Sequence, residues 1–366
     1  MTSPRIAFYL RALLQTGIER NQLNLAQSLV QNGIAVDFVL NTLADKARHR
    51  FPSGVRIVDL KAPRLPAGLP LLVRYLRQEQ PLAMISAQHL TNEAAVLAHR
   101  LAGVSTKLIV SEHNHVSAEW RGKQKLTERL TPLFVRILYP WADGIVAVSQ
   151  GVAQDLAAVT RLPRQSIEVI YNSVVTPKVF EQAKEPVEHT WFGAGEPPVI
   201  LGVGRLHPQK DFPTLIRAFA RVRREQPARL VILGGGPERQ RLQALVRELA
   251  LEEDVALLGF VPNPFAYMAR AAVFVLSSAW EGFGNVIAEA MAVGTPVVST
   301  DCPSGPAEIL DNGQYGHLVP VGNSEALSQA VLAVLAGDYK TVPPGWLDQF
   351  TPEVVVQKYQ QLLGLA

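Results

Sequence analysis

The chain has 366 residues, 48% of them hydrophobic and 18% charged, with 26 Gly and 26 Pro. That composition excludes a disordered chain, a collagen-like repeat and a coiled coil, and the length suits about two domains. Its one cysteine, Cys302, excludes an intramolecular disulfide and fits a reducing compartment. Net charge is +3, but residues 1–180 carry 21 Lys and Arg against 12 Asp and Glu, a balance of +9, while the remainder carries 14 against 20, a balance of −6. The first half therefore either meets something anionic or presents a solvated basic surface.

Along the chain, short apolar runs bounded by turn residues predict strands at Arg5–Leu10, Ala35–Asn41, Leu82–Ala87, Lys107–Glu112, Gly144–Ser149 and Ile167–Tyr171. Helical periodicity lies between them at Ile18–Gln31, Asn92–Leu101, Lys125–Tyr139 and Val152–Val159. The strand runs are continuously apolar, which argues for a parallel sheet covered on both faces. Residues 176–198 mix Pro, Gly and charge without a period and read as a linker. A second alternation follows, with strands at Val199–Gly204, Arg229–Leu233, Val255–Leu258, Val273–Ser277 and Pro296–Thr300, a short segment at Gly316–Pro320, and helices at Phe212–Glu225, Glu238–Leu249, Phe265–Arg270, Asn285–Ala292 and Ser324–Leu335. A helix at Pro352–Leu363 ends the chain. The expected fold class is α/β, with two doubly wound, Rossmann-like domains facing a cleft at the carboxyl ends of their strands. Domain 1 spans 1–178, domain 2 spans 190–345, and the terminal helix within 350–366 packs back on the first. Ile6–Leu10 is too short for the apolar core of a signal peptide, and no uncharged apolar run reaches membrane-spanning length. A cytoplasmic location is expected, at most touching the inner face of the plasma membrane.

The sharpest chemical signal runs from Glu281 through Gly282, Phe283, Gly284 and Asn285 to Glu289. A strand ends, glycines open a loop and a helix begins, so unpaired backbone N–H groups face the carboxyl edge of the sheet and favour an anion. The two carboxylates are good acceptors for sugar or ribose hydroxyls. Gly204-Arg205 and Lys210 follow the first strand of the second half, where a guanidinium fork and an ammonium together could neutralise a diphosphate. Gly234-Gly235-Gly236-Pro237 is a third turn at the same edge, permitting close backbone approach to a flat or phosphorylated ligand. In the first half, Glu112-His113 ends a strand, Gly17 precedes a helix, and Asn172-Ser173 are polar groups near the domain junction. Each of these is also an ordinary cap or turn residue. No Asp-x-Asp pair occurs, which disfavours a metal-held diphosphate. Lys123–Trp141 interleaves Lys123, Lys125, Arg129 and Arg136 with apolar residues. That pattern suits a core-facing helix or an interfacial helix at an anionic membrane.

Together these residues resemble the retaining glycosyltransferases of the GT-B fold, family 4, of the kind that build bacterial surface glycans. The resemblance runs over nearly the whole chain and is most specific in residues 199–310. It implies that Arg205 and Lys210 hold the donor's diphosphate and Glu289 its ribose, and that Glu281 with Gly282, Phe283, Gly284 and Asn285 holds the donor sugar. His113 matches the family's active-site histidine, near hydroxyls of the transferred sugar. Gly17 matches the N-terminal Gly loop, where the usual Gly-Gly is Thr16-Gly17 here. Gly204 and the turn Gly234, Gly235, Gly236 and Pro237 complete the donor set, and Glu112, Asn172 and Ser173 are candidates for acceptor or sugar contact.

The implied reaction is transfer of a hexose or N-acetylhexosamine, with retained anomeric configuration, from a nucleotide diphosphate sugar to a hydroxyl of a saccharide or lipid-linked acceptor. UDP is the expected nucleotide, and neither a metal nor another cofactor is expected. No carboxylate is an obvious nucleophile, which favours front-face attack by the acceptor hydroxyl with a donor phosphate oxygen as base. Partners are the donor, the acceptor and an anionic membrane, and no nucleic acid. Two other readings are a sugar-nucleotide epimerase of the GT-B fold and a catalytically silent sugar-nucleotide-binding subunit. A nicotinamide dehydrogenase is disfavoured, because the first strand leads into Arg11-Ala-Leu-Leu-Gln-Thr-Gly17 rather than Gly-x-Gly-x-x-Gly.

Overall fold

The computed structural model describes residues 4–13, 17–121 and 126–365, apart from the side chains of 45–47 and 126–129. The chain divides into two compact units, Met1–Val174 with Gln349–Ala366, and Val175–Asp348. In the first unit, strands β1 (Arg5–Leu10), β2 (Ala35–Leu40), β3 (Val55–Asp59), β4 (Ala83–Ala87), β5 (Lys107–Glu112), β6 (Gly144–Ala147) and β7 (Ile167–Val169) form one sheet in the order β3-β2-β1-β4-β5-β6-β7. In the second, β8 (Val199–Val203), β9 (Arg229–Leu233), β10 (Val255–Gly259), β11 (Val273–Leu276), β12 (Val297–Thr300) and β13 (His317–Val319) form another in the order β10-β9-β8-β11-β12-β13.

All the pairings are parallel. Parallel strands need crossovers, and the helices that supply them cover both faces, so β4 and β11 are buried at every position. The strand order reverses between β1 and β4 and between β8 and β11. Sheets of this kind leave a crevice for ligands at such points, outside the carboxyl ends of the strands.

The core of the first unit includes Phe8, Phe38, Leu25 and Ile109, and Val355, Val356, Tyr359 and Leu363 of helix Pro352–Leu363 pack into it. Lys107 Nζ also donates to the Leu363 carbonyl at 3.3 Å. The second core gathers Ile200, Phe219, Ile232, Val275 and Val298 with Leu327 and Val331.

Two segments differ from the sequence reading. Residues 176–198 are not a featureless linker. Pro177–Ala183 is a helix with Val179 buried, and Asn263 Nδ2 donates to the Gln182 carbonyl at 2.8 Å, tying it into the second unit. Strand β3 and helix Leu65–Glu79 were not expected from the pattern. Pro66, Gly68 and Pro70 are residue types that interrupt helices, but Pro66 lies in the first turn, where no N–H is needed. Gly68 lies where a Cβ would come within 2.5 Å of Asn41 Nδ2, so the side-chain-free position lets the helix close on β2.

Near the amino ends of β1–β3 the buried Asp37 meets part-exposed arginines. Asp37 accepts hydrogen bonds from Arg56 Nε at 2.9 Å, Tyr75 Oη at 2.6 Å and Arg5 at 3.4 Å. Burial pushes its pKa up, but the hydrogen bonds from Arg56 and Tyr75 and the two guanidinium charges outweigh that and hold it below the usual carboxylate value. A carboxylate depressed in the folded state contributes stability above its unfolded pKa of about 3.9, and loses it as pH falls through the folded value. The arginines left behind are part exposed and keep Glu79, so Asp37→Asn should lower stability at pH 7 by about 1–2 kcal/mol and flatten the fall of Tm below pH 4. Melting curves from pH 7 to pH 2 check this, and an unchanged acid limb rules it out.

Candidate functional site

At the carboxyl edge of the second sheet, four loops interlock. The loop after β8 carries Gly204, Arg205 and Lys210, and the loop after β9 carries Gly234, Gly235, Gly236 and Pro237. The two are stitched by backbone bonds from Gly204 N to Leu233 O and from Leu206 N to Gly235 O, both 2.9 Å. Gly234 has φ +134° and sits where a Cβ would be 1.9 Å from the Gly204 carbonyl oxygen. A Cβ on Gly236 would be 2.3 Å from the Leu206 oxygen. The sequence suggested that these glycines admit a ligand. At 234 and 236 they admit the neighbouring loop instead, and only Gly235 has open space where its side chain would be.

The loop after β11 meets the first through side chains. Lys210 Nζ and Glu281 Oε1 are 2.5 Å apart, and Ser278 Oγ donates to the same oxygen at 2.6 Å. Gln209 Nε2 donates to the Trp280 carbonyl at 3.0 Å, and Ala279 N donates to the Gln209 carbonyl at 2.8 Å. The loop after β12 closes the far side. Glu281 N donates to the Pro303 carbonyl at 3.2 Å, and a Cβ on Gly305 would be 1.8 Å from the Phe283 oxygen. Gly282, Phe283 and Gly284 are thus clamped between neighbours and lead into helix Asn285–Ala292, with Glu289 buried one turn inside. Burial pushes the thiol pKa of Cys302 well above its usual range; the Glu281 charge adds to this and Lys210 works against it.

Arg205 differs from Lys210. It is exposed and makes no hydrogen bond or ion pair with any described residue. One cation is locked to a carboxylate, and the other is available to an anion.

In the first unit, His113 follows β5 and is 5% exposed. Its Nε2 lies 3.0 Å from Ser111 Oγ, and burial pushes the imidazole pKa down to about 3, so the ring is neutral at physiological pH. Glu112 is fully buried, and both of its oxygens are engaged by interior groups, an arrangement for holding a loop rather than touching a saccharide. Asn172 and Ser173 are also buried. Ser173 N donates to Asn21 Oδ1 at 2.7 Å, and Asn24 Nδ2 donates to the Ser173 carbonyl at 2.8 Å, which ties the end of β7 to helix Gly17–Gln31. Gly17 is the first residue of that helix, at the carboxyl side of β1, while Thr16 lies outside the described residues.

Among the described residues no group of three or more His, Cys, Asp or Glu is placed to hold a metal, and no helix is long and apolar enough to cross a membrane. Of the basic and apolar stripe at 123–141, Lys123 and Lys125 and the Arg129 side chain lie outside the described residues. The described part of helix Leu126–Leu138 turns Val135 and Leu138 inward. Leu133, Phe134 and Ile137 stay 45–49% exposed, next to Trp141 at 42%.

Two parallel sheets in these orders, each doubly wound, make the GT-B arrangement. Anabaena HepE, solved in complex with UDP and glucose, shares it with a TM-score of 0.79 at 19% identity, over 99% of this chain and 100% of that one. Residues 16–178 match the family described as Glycosyltransferase Family 4, and residues 197–337 match Glycosyl transferases group 1. The chain belongs to these glycosyltransferases. It is 35% identical, over 68% of its own length and 65% of the relative's, to the N-acetylgalactosamine-N,N'-diacetylbacillosaminyl-diphospho-undecaprenol 4-alpha-N-acetylgalactosaminyltransferase of Campylobacter jejuni. It is 31% identical, over 61% and 64%, to the lipopolysaccharide core biosynthesis glycosyltransferase LpsE of Rhizobium meliloti. The aligned part is therefore less than two thirds of either relative. Both are named for sugar transfer, and neither gives support to the epimerase reading.

The loop packing separates two substitutions that look alike in sequence. Gly234→Ala forces a methyl into a backbone carbonyl and should cost at least about 2 kcal/mol, which lowers Tm by roughly 4–8 °C. Gly235→Ala points into open space and should leave Tm within about 1 °C. Thermal melts of the two variants check the contrast, and equal effects would contradict the packing described.

Proposed function

We propose that the chain transfers a hexose or N-acetylhexosamine from a nucleotide diphosphate sugar, UDP being the expected nucleotide, to a hydroxyl of a saccharide or lipid-linked acceptor with retained configuration. The observation that carries this reading is the exposed Arg205, unpartnered among the described residues, on the same loop as Lys210, which pairs with Glu281 ahead of helix Asn285–Ala292. An exposed guanidinium, an ammonium and a row of helix N–H groups suit the charge that develops on a departing diphosphate. In this proposal no metal or other cofactor is needed, since fixed cations and dipoles meet that charge. Glu289 binds the ribose, and Glu281, Gly282, Phe283, Gly284 and Asn285 bind the sugar, with Gly204, Gly235 and Gly17 contributing backbone contacts. His113, neutral, contacts hydroxyls of the transferred sugar.

Glu281 Oε1 already accepts from both Lys210 and Ser278, so this carboxylate is better suited to orient than to attack carbon. Front-face attack by the acceptor hydroxyl, with a donor phosphate oxygen taking its proton, therefore remains the favoured route. The UDP and glucose in the HepE complex, and the diphospho-undecaprenol in the Campylobacter relative's name, support the donor and acceptor classes. The test has two arms. A nucleotide diphosphate sugar that binds only the folded state should raise Tm, being worth about 2.7 kcal/mol at a concentration of 100 Kd. Arg205→Ala should abolish that shift and cut kcat/KM by about 100-fold, while its own Tm stays unchanged because the side chain has no partner to lose among the described residues. If no such donor shifts Tm, or Arg205→Ala turns over normally, the reading fails.

An inner-membrane location belongs to the same proposal. Leu133, Phe134, Ile137 and Trp141 are joined by exposed Leu97 and Leu101 of helix His89–Ala102, and the Arg100 guanidinium lies 5.1 Å from the Trp141 ring centre. Apolar side chains flanked by Arg100 and Arg136 on the net basic half suit an anionic lipid surface. Sedimentation with phosphatidylglycerol-containing vesicles should be lost in Phe134→Ser/Ile137→Ser, and no binding by the unaltered protein would end the idea.

A further inference from the structure

The last residues of β5 direct their side chains to opposite faces of the sheet, as alternation requires. On one side Ser111 Oγ meets His113 Nε2 at 3.0 Å. On the other, the Glu112 carboxylate turns back beneath the loop. Its Oε1 accepts the backbone N–H of His113 at 3.0 Å and that of Asn114 at 3.3 Å, and its Oε2 accepts the Tyr139 hydroxyl at 2.9 Å. Tyr139 in turn accepts from Asn92 Nδ2 at 2.9 Å, and the same amide nitrogen donates to the Ser111 carbonyl at 3.0 Å.

Asn92, Glu112 and Tyr139 are all 0% exposed. Burial pushes the Glu112 pKa up to about 8, so its carboxyl is largely protonated at pH 7. Both Asn92 amide hydrogens are used, one of them on the Tyr139 oxygen. The Tyr139 hydroxyl and Glu112 Oε2 are therefore joined at 2.9 Å, with a proton available from either side. Three polar side chains without access to water are a poor way to fill a core, since apolar residues of similar volume pack there at least as well. What such a connected set supplies is one defined geometry. The group it defines is the backbone that carries His113, whose Nδ1 is left without a partner among the described residues.

We propose that Asn92 and Tyr139 are positioning residues that act through Glu112 to fix the 112–114 backbone, and thereby aim the His113 imidazole at the transferred sugar. The last step rests on the sugar contact given to His113 above; the hold on the loop does not.

Tyr139→Phe in the full chain removes one oxygen and keeps the ring. Amide hydrogen exchange should quicken at least 10-fold at His113 and Asn114, while Ile109 and Val110 in the same strand keep their protection. In transfer assays kcat should fall about 10-fold or more with donor KM changed less than two-fold, because placement is lost rather than binding. Asn92→Ala should reproduce both effects. In a His113→Ala background, Tyr139→Phe should cost no further kcat, since no imidazole remains to be aimed. Unchanged exchange at 113 and 114, acceleration spread evenly along β5, or the same kcat loss in both backgrounds overturns the proposal. If His113→Ala alone is fully active while exchange at 113 and 114 still quickens in Tyr139→Phe, the sugar contact is wrong and the hold on the loop stands.

Discussion

The candidate donor region depends on backbone meeting backbone. At Gly234 and Gly305 the chain comes so near a neighbouring carbonyl that no side chain fits, and these two contacts bracket the loops that carry Arg205, Lys210 and Glu281. Peptide groups packed in this way cannot relax by changing rotamer, so the loops are stiff before any ligand arrives. Stiffness matters for electrostatics. A dipole or cation already in place stabilises developing charge without reorganising, whereas a mobile one must be ordered first. The Lys210–Glu281 pair serves the same end from the side chains. It joins the loops after β8 and β11, the strands that flank the point where strand order reverses.

Much of the architecture was legible because both faces of each sheet are covered. Inner strands such as β1, β5 and β9 are built on apolar runs, and their limits match the sequence reading to the residue. Edge strand β3 alternates and is only half-buried, and the helix after it holds three residues that ordinarily signal turns. There tertiary contacts, chiefly Gly68 against Asn41, overrule local preference. Within residues 176–198 the reason is length, because Pro177–Ala183 is too short to show a period.

Motifs were legible as motifs, but what each one meets was not. A run of glycines states that something comes close; it does not state that the visitor is another loop. Lys210 and Glu281 are 71 positions apart, and Asn92 and Tyr139 are 47 apart. Single-sequence periodicity carries no information at such separations. Glu112, Asn172 and Ser173 stand out in sequence for their polarity, and all three are buried, Glu112 with its side chain engaged by interior groups and Ser173 held through its backbone. Tyr139 was read as the apolar end of a helix, and nothing in its neighbours' pattern marks its hydroxyl.

Helix Pro352–Leu363 supplies four residues to the core of the first unit, although 174 residues of the second unit, Val175–Asp348, intervene in the chain. Synthesis at 5–20 residues per second delivers that helix roughly 10–35 s after Val174 has emerged. The half of the molecule that leaves the ribosome first is thus the last to be finished. Until that helix emerges the apolar residues it packs with in the first core stay uncovered, and a chain cut short anywhere in the second unit leaves a first unit that never seals.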